Sequence, residues 1–166
     1  LGQTPFGQAL LSLLRYAWLD GGRRELFSFL RSPYSGLTRS HADFLEGRLR
    51  GRGVVEPERV EEEVQKLRGQ PLPHLDAVRN AADPLVSVRD LARAMVAAAH
   101  RLDAPPIDEA ARLDLRAHEA ARRLLAELEG WRDLGGEASH DELVSLLGET
   151  QVCLGGAGEA GRVAVL

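Results

Sequence analysis

Residues 26–53 read LFSFLRSPYSGLTRSHADFLEGRLRGRG. Leu26, Phe27, Phe29 and Leu30 are spaced as a short apolar helix. Ser32-Pro33 stops it, because a residue before proline avoids the helical region. A tight connection over 34–37 follows, with Gly36 supplying the backbone freedom. Thr38 caps a second helix, in which Ala42, Leu45 and Leu49 face inward. Gly51 and Gly53 end that helix, and Arg48, Arg50 and Arg52 crowd its exit. Two helices on either side of a Pro–Gly turn set the expectation for the whole chain.

Working outward, Thr4-Pro5 is a hydroxyl N-cap followed by proline at the first helical position. Phe6, Leu10, Leu13, Leu14 and Ala17 then share one helical face, and Asp20-Gly21-Gly22 closes it. Downstream, 57–68 is a charged helix with the stripe Val60, Val64 and Leu67, its Glu61-Glu62-Glu63 run facing solvent. A weak helix is expected over 74–82, up to Asp83-Pro84. Ser87 caps the next, with Asp90 in the place of a capping-box acid. Leu91, Met95, Val96, Ala99 and Leu102 line it.

The longest helix is expected over 108–134, with Leu113, Ala117, Ala120, Ala121, Leu124, Leu128 and Trp131 as its core stripe. Ser139 and Glu142 form a capping box for a short last helix. Beyond Gly148, Val152-Cys153-Leu154 and the apolar run 163–166 read as short strands around a Gly-rich turn. The expected fold class is all-α, a helical bundle of about six to eight helices with a short terminal strand or hairpin. Residues 1–150 form the helical domain, and 151–166 lead out of it.

The 166 residues suit one domain, or one domain with a fragment of another, and 44% hydrophobic content is enough to bury a core. A net charge of -4 means that any nucleic-acid surface must be a local patch. The single cysteine, Cys153, excludes an internal disulfide framework and fits a reducing cytoplasm. No apolar run approaches the roughly 20 residues of a membrane helix, and no secretory signal opens the chain. The chain has no initiating Met and ends on an apolar run, so it reads as a piece of a longer protein.

Catalytic patterns are missing. There is no phosphate loop, and Gly155-Gly156 with Gly158 lacks the lysine and helix that such a loop needs. His118-Glu119 begins like a zinc helix, but Arg122 stands where the second histidine belongs. His140-Asp141-Glu142 is explained by the preference for acids in a helix first turn. His74 and His100 have no partner nearby in sequence, and Cys153 is expected to be buried in a strand. His41, Asp43 and Glu46 have the spacing of a histidine–carboxylate metal site or of a plain polar helix side. No enzymatic activity, resident metal or cofactor is expected of this chain by itself.

One surface remains: Gly36, Thr38, Arg39, Arg48, Arg50 and Arg52, with Arg31 just upstream. Arginines and free N–H groups at a helix start are phosphate donors, which makes DNA the candidate partner. The other reading is ordinary surface charge on a helical protein–protein module.

The order of these parts has a resemblance. Residues 4–54 are similar to a segment of UvrD-like superfamily 1 helicases, most of all the B subunit of AddAB-type ATP-dependent helicase–nucleases. The matching positions are Thr4, Pro5, Gly7, Leu10 and Leu13; then Leu26, Phe29, Leu30, Ser32, Gly36 and Leu37; then Asp43, Leu45 and Glu46. Residues 139–147 resemble the helix that precedes a strand of the motor's second RecA-like domain, with 162–166 as that strand.

The resemblance implies a helical accessory insertion, of the type called 2B, that contacts duplex DNA in double-strand break repair and recombination. It implies a partner helicase–nuclease subunit, and the expected location is cytoplasmic, as the lone Cys153 suggests. It also implies that the ATP-binding and nuclease motifs lie outside this chain. The family's glycine turn, Gly-Ile-Gly, is here Gly36-Leu37-Thr38, so Thr38 and Arg39 would donate in place of the second glycine.

Overall fold

Thr4 sets the first helix: its hydroxyl accepts the Gly7 N–H at 3.0 Å, and Pro5 occupies the first helical position. In this computed structural model, residues 1–54, 56–68, 72–100 and 108–153 are described. Their helices are α1 (Pro5–Trp18), α2 (Arg23–Leu30), α3 (Arg39–Gly51), α4 (Pro57–Arg68), α5 (Pro73–Arg79), α6 (Pro84–Ala99), α7 (Glu109–Asp133) and α8 (His140–Glu149). A 3₁₀ turn at Pro33–Ser35 joins α2 to α3. The chain is all-α, and no strand occurs among the described residues.

The centre is α1. It packs against α2, α5, α6, α7 and α8. Phe6, Leu10, Leu13 and Leu14 are fully buried there, as the apolar spacing requires. Leu26, Phe27, Phe29 and Leu30 of α2 close one side, and Leu143, Val144 and Leu147 of α8 close another. On α7 the buried row contains Ala117 and Ala121, small side chains that let α6 approach with Val88, Ala92, Met95 and Val96. Two ion pairs, Arg89–Glu129 and Arg132–Asp83, both 2.7 Å, tie the same two helices at their rims.

Several elements depart from the sequence expectations. The sixth helix starts one turn before Ser87, because Asp83 accepts the N–H groups of Leu85 and Val86 and Pro84 fits the first helical position. The α7 core row is Ala111, Asp114, Ala117, Ala121, Leu125 and Leu128, with Leu113, Ala120 and Leu124 half-buried at its edge and Trp131 exposed. Glu61 does not face solvent. It accepts from both Tyr16 Oη at 3.2 Å and Arg79 Nη1 at 2.8 Å, which joins α4 to α1 and α5. Val152 and Cys153 are not in a strand, and Cys153 is exposed. The strand expected over 163–166, like Leu102, lies outside the described residues.

His100 has a partner that its sequence neighbours did not reveal. Asp114 Oδ2 lies 2.5 Å from Tyr34 Oη and 2.6 Å from His100 Nε2. Only 4% of Asp114 is exposed, so this carboxylate survives burial because two donors converge on it. Burial, then the hydrogen bond to Asp114, raises the Tyr34 phenol far above its ordinary value. The cluster ties the 3₁₀ turn, the end of α6 and the first third of α7 together.

Candidate nucleic-acid interface

Helix α3 is hung on α2 by its inner face, where Ala42, Leu45 and Leu49 are buried. Two left-handed glycines bracket it, Gly36 at φ 73° and Gly53 at φ 65°. Each lets the chain turn where a Cβ would clash with its own backbone. Thr38 caps the start, its hydroxyl accepting the His41 N–H at 3.3 Å. Gly51 lies inside the last turn of the helix, and Gly53 stands just beyond the cap residue Arg52.

The candidate residues do not form one cluster. Thirteen helical residues span roughly 20 Å, so Gly36 and Thr38 sit at one end and Arg50 and Arg52 at the other. At 100° per residue, Arg39 and Arg50 fall on one flank of the solvent side, with Asp43 and Glu46. Arg48, Arg52 and His41 fall on the other flank.

The first flank is strongly paired. Glu46 accepts from Arg50 Nη2 at 3.0 Å and from Arg31 Nη2. Arg31 Nε also donates to Asp43 at 2.6 Å, and that hydrogen bond holds its guanidinium charged above the ordinary value. Arg23 donates to the carbonyls of Val54 at 3.1 Å and Glu46 at 2.8 Å, locking the start of α2 to α3. Both guanidiniums lie near the Phe27 ring, at 5.5 Å for Arg23 and 5.9 Å for Arg31. Arg31 and Arg50 are therefore held by carboxylates.

The remaining three arginines are looser. Arg39 is 83% exposed in its side chain and stands 4.0 Å from Asp43. Arg52 stands 3.9 Å from Glu63. Arg48 is exposed and has no carboxylate within ion-pair distance among the described residues. The Glu63 carboxyl is held below its ordinary value by a hydrogen bond from Lys66, with Arg52 and Arg48 adding to the field. Residues 23–54 hold seven arginines against three carboxylates, a net +4 in a chain whose total is -4. The rest of the molecule is correspondingly acidic.

The metal alternative does not assemble. Arg31 holds both Asp43 and Glu46, and no group of three His, Cys, Asp or Glu that could bind a metal ion occurs among the described residues. Glu119 is claimed by Arg122 at 2.7 Å and Arg123 at 3.0 Å, which take its carboxyl down to about 2. His140 stacks on Trp18 with ring centroids 4.3 Å apart. No described helix is long and apolar enough to cross a membrane.

Two features of this surface were not read from the sequence, the role of Glu46 and the exposure of Phe44. Glu46 is the hub of the arginine network, and its i,i+4 relation to Arg50 was the available signal. Phe44 is 61% exposed, and its signal was that Ala42, Leu45 and Leu49 already fill the inner face. No family model matches the chain, and no curated protein or solved structure matches it either.

Proposed function

We propose that this chain is a non-catalytic helical domain of a DNA helicase–nuclease, contacting duplex DNA through the solvent side of α3. One observation carries the DNA contact. Arg39, Arg48 and Arg52 are exposed with no carboxylate nearer than 3.9 Å among the described residues, within a segment of net +4. The assignment to a helicase–nuclease of double-strand break repair rests on the sequence resemblance alone. A helix of roughly 20 Å matches about six phosphates along one strand. Gly36 and Thr38 would meet the backbone at one end, and Arg48 and Arg52 at the other.

The test is duplex binding by fluorescence anisotropy across a salt series. Three released counterions give a slope of about -2.7 in log K against log salt, or about 40-fold lost between 50 and 200 mM. Arg48→Glu with Arg52→Glu should abolish binding at 100 mM salt. Unchanged affinity in that variant would sink the assignment.

A second reading, a module that docks a partner subunit without touching DNA, has its own support. Trp131 is 48% exposed and Leu134 87% exposed at the end of α7. Concentration-dependent self-association that Trp131→Ser with Leu134→Ser removes, in a protein with no DNA affinity, would select it.

A further inference from the structure

Opposite the buried line of α3, the outermost line carries Ser40, Phe44, Gly47 and Gly51. The Phe44 ring is 61% exposed and makes no aromatic contact among the described residues. A Cβ placed on Gly47 or Gly51 would meet nothing within 4 Å, so no packed neighbour covers this line of the helix at those positions. Arg48 lies one turn on along the same side, and Arg39 stands more than a turn back on the far flank of the solvent side. An exposed aromatic ring beside Arg48, with the loosely paired Arg39 across the outer face, in a segment of net +4, complements a polyanion that also carries flat apolar groups.

We propose that Phe44 is a stacking platform for an unpaired base, with Arg39 and Arg48 taking the adjoining phosphates. This rests on the DNA-contact reading above and narrows it to a duplex with a single-stranded end. A base inside a duplex shows only its edge and stays covered by its neighbours. A ring on a convex helix surface can reach a base face only where a nucleotide is unpaired.

The experiment compares a blunt duplex with the same duplex bearing a single-stranded oligo-dT tail, both labelled, against the full 166-residue chain. One stacked base should make the tailed duplex bind roughly tenfold tighter. Phe44→Ala should erase that preference, so that the tailed and blunt duplexes bind alike, while Phe44→Trp keeps it. Because the ring is exposed, both variants should unfold at the wild-type denaturant midpoint. Equal binding of the two duplexes by the wild type, or a preference that survives Phe44→Ala, overturns the stacking role and leaves the duplex reading standing. If neither duplex binds at 50 mM salt, both readings fall.

Discussion

Two polar clusters built from similar groups behave as opposites. Around Asp114, a phenol and an imidazole converge on one buried carboxylate oxygen, and the three residues come from three separate elements. Around Glu46, guanidiniums crowd a carboxylate at the surface, and every partner lies within residues 23–50. The first cluster has no water to replace a lost partner, so its removal is a stability event. In the second, Arg31 and Arg50 open onto solvent, so its removal chiefly changes which charges face outward. What separates the two clusters is burial, more than residue type.

The sharpest way to break this contrast is to remove the hub of each. Asp114→Ala leaves the Tyr34 hydroxyl and the His100 ring without their acceptor in a closed space. It should cost about 3 kcal/mol in a denaturant titration. Glu46→Ala should cost less, about 1 kcal/mol, since its partners Arg31 and Arg50 are 37% and 76% exposed and reach water when freed, although Glu46 itself is half-buried. Equal losses in the two variants would erase the distinction.

The next effect is on pH. Burial raises Tyr34, and burial together with the Glu61 carboxylate pushes Tyr16 up to about 12. A phenol whose folded value is raised binds its proton more tightly in the native state. Its stabilisation is full below pH 10, the unfolded value, and is lost as pH climbs toward the folded one. The denaturant midpoint should therefore hold from pH 7 to 9 and fall between pH 10 and 12. Tyr34→Phe should flatten part of that fall while lowering the midpoint at pH 8. A flat wild-type profile through pH 11 would contradict the burial of both phenols.

These clusters also mark how far the sequence could be read. The caps at Thr4, Thr38 and the Ser139–Glu142 box were legible because each bonds a backbone group three residues away. The Asp114 cluster was not, because Tyr34 and Asp114 are 80 positions apart. Asp114 also misdirected the reading of α7: a carboxylate in the core row shifts the apparent apolar stripe toward Leu113, Leu124 and Trp131. Along α3 the inner face was plain from Ala42, Leu45 and Leu49. How its arginines divide between two flanks depended on carboxylates whose rotamers no spacing rule sets. Arg31 reaches back from α2 to Asp43 and Glu46, a contact that only the turn at Gly36 brings about.

A smaller effect separates charge from fold at Glu46. Glu46→Gln keeps the size of the side chain and removes one negative charge from the midst of Arg31 and Arg50. Stability should change by less than about 1 kcal/mol. If α3 meets DNA, duplex affinity should rise severalfold and the salt slope should steepen by about one unit, as one more arginine becomes available to phosphate. An affinity that falls instead would mean that Glu46 positions Arg31 and Arg50 for the contact rather than withholding them.

The smallest effect lies one residue further along the same helix. Gly47 sits in the interior of α3, where glycine costs about 1 kcal/mol relative to alanine through lost backbone entropy. Nothing in the fold asks for it, since an added Cβ meets no atom within 4 Å. Gly47→Ala should therefore raise stability by roughly 0.5–1 kcal/mol without shifting any packed side chain. The same methyl lies one turn from Phe44, on the line where a stacked base or its sugar would rest. A stabilised variant that binds the tailed duplex less well than the blunt-duplex change predicts would show that Gly47 serves close approach. A stabilised variant with unaltered binding would leave it as a position where the helix simply tolerates the weaker residue.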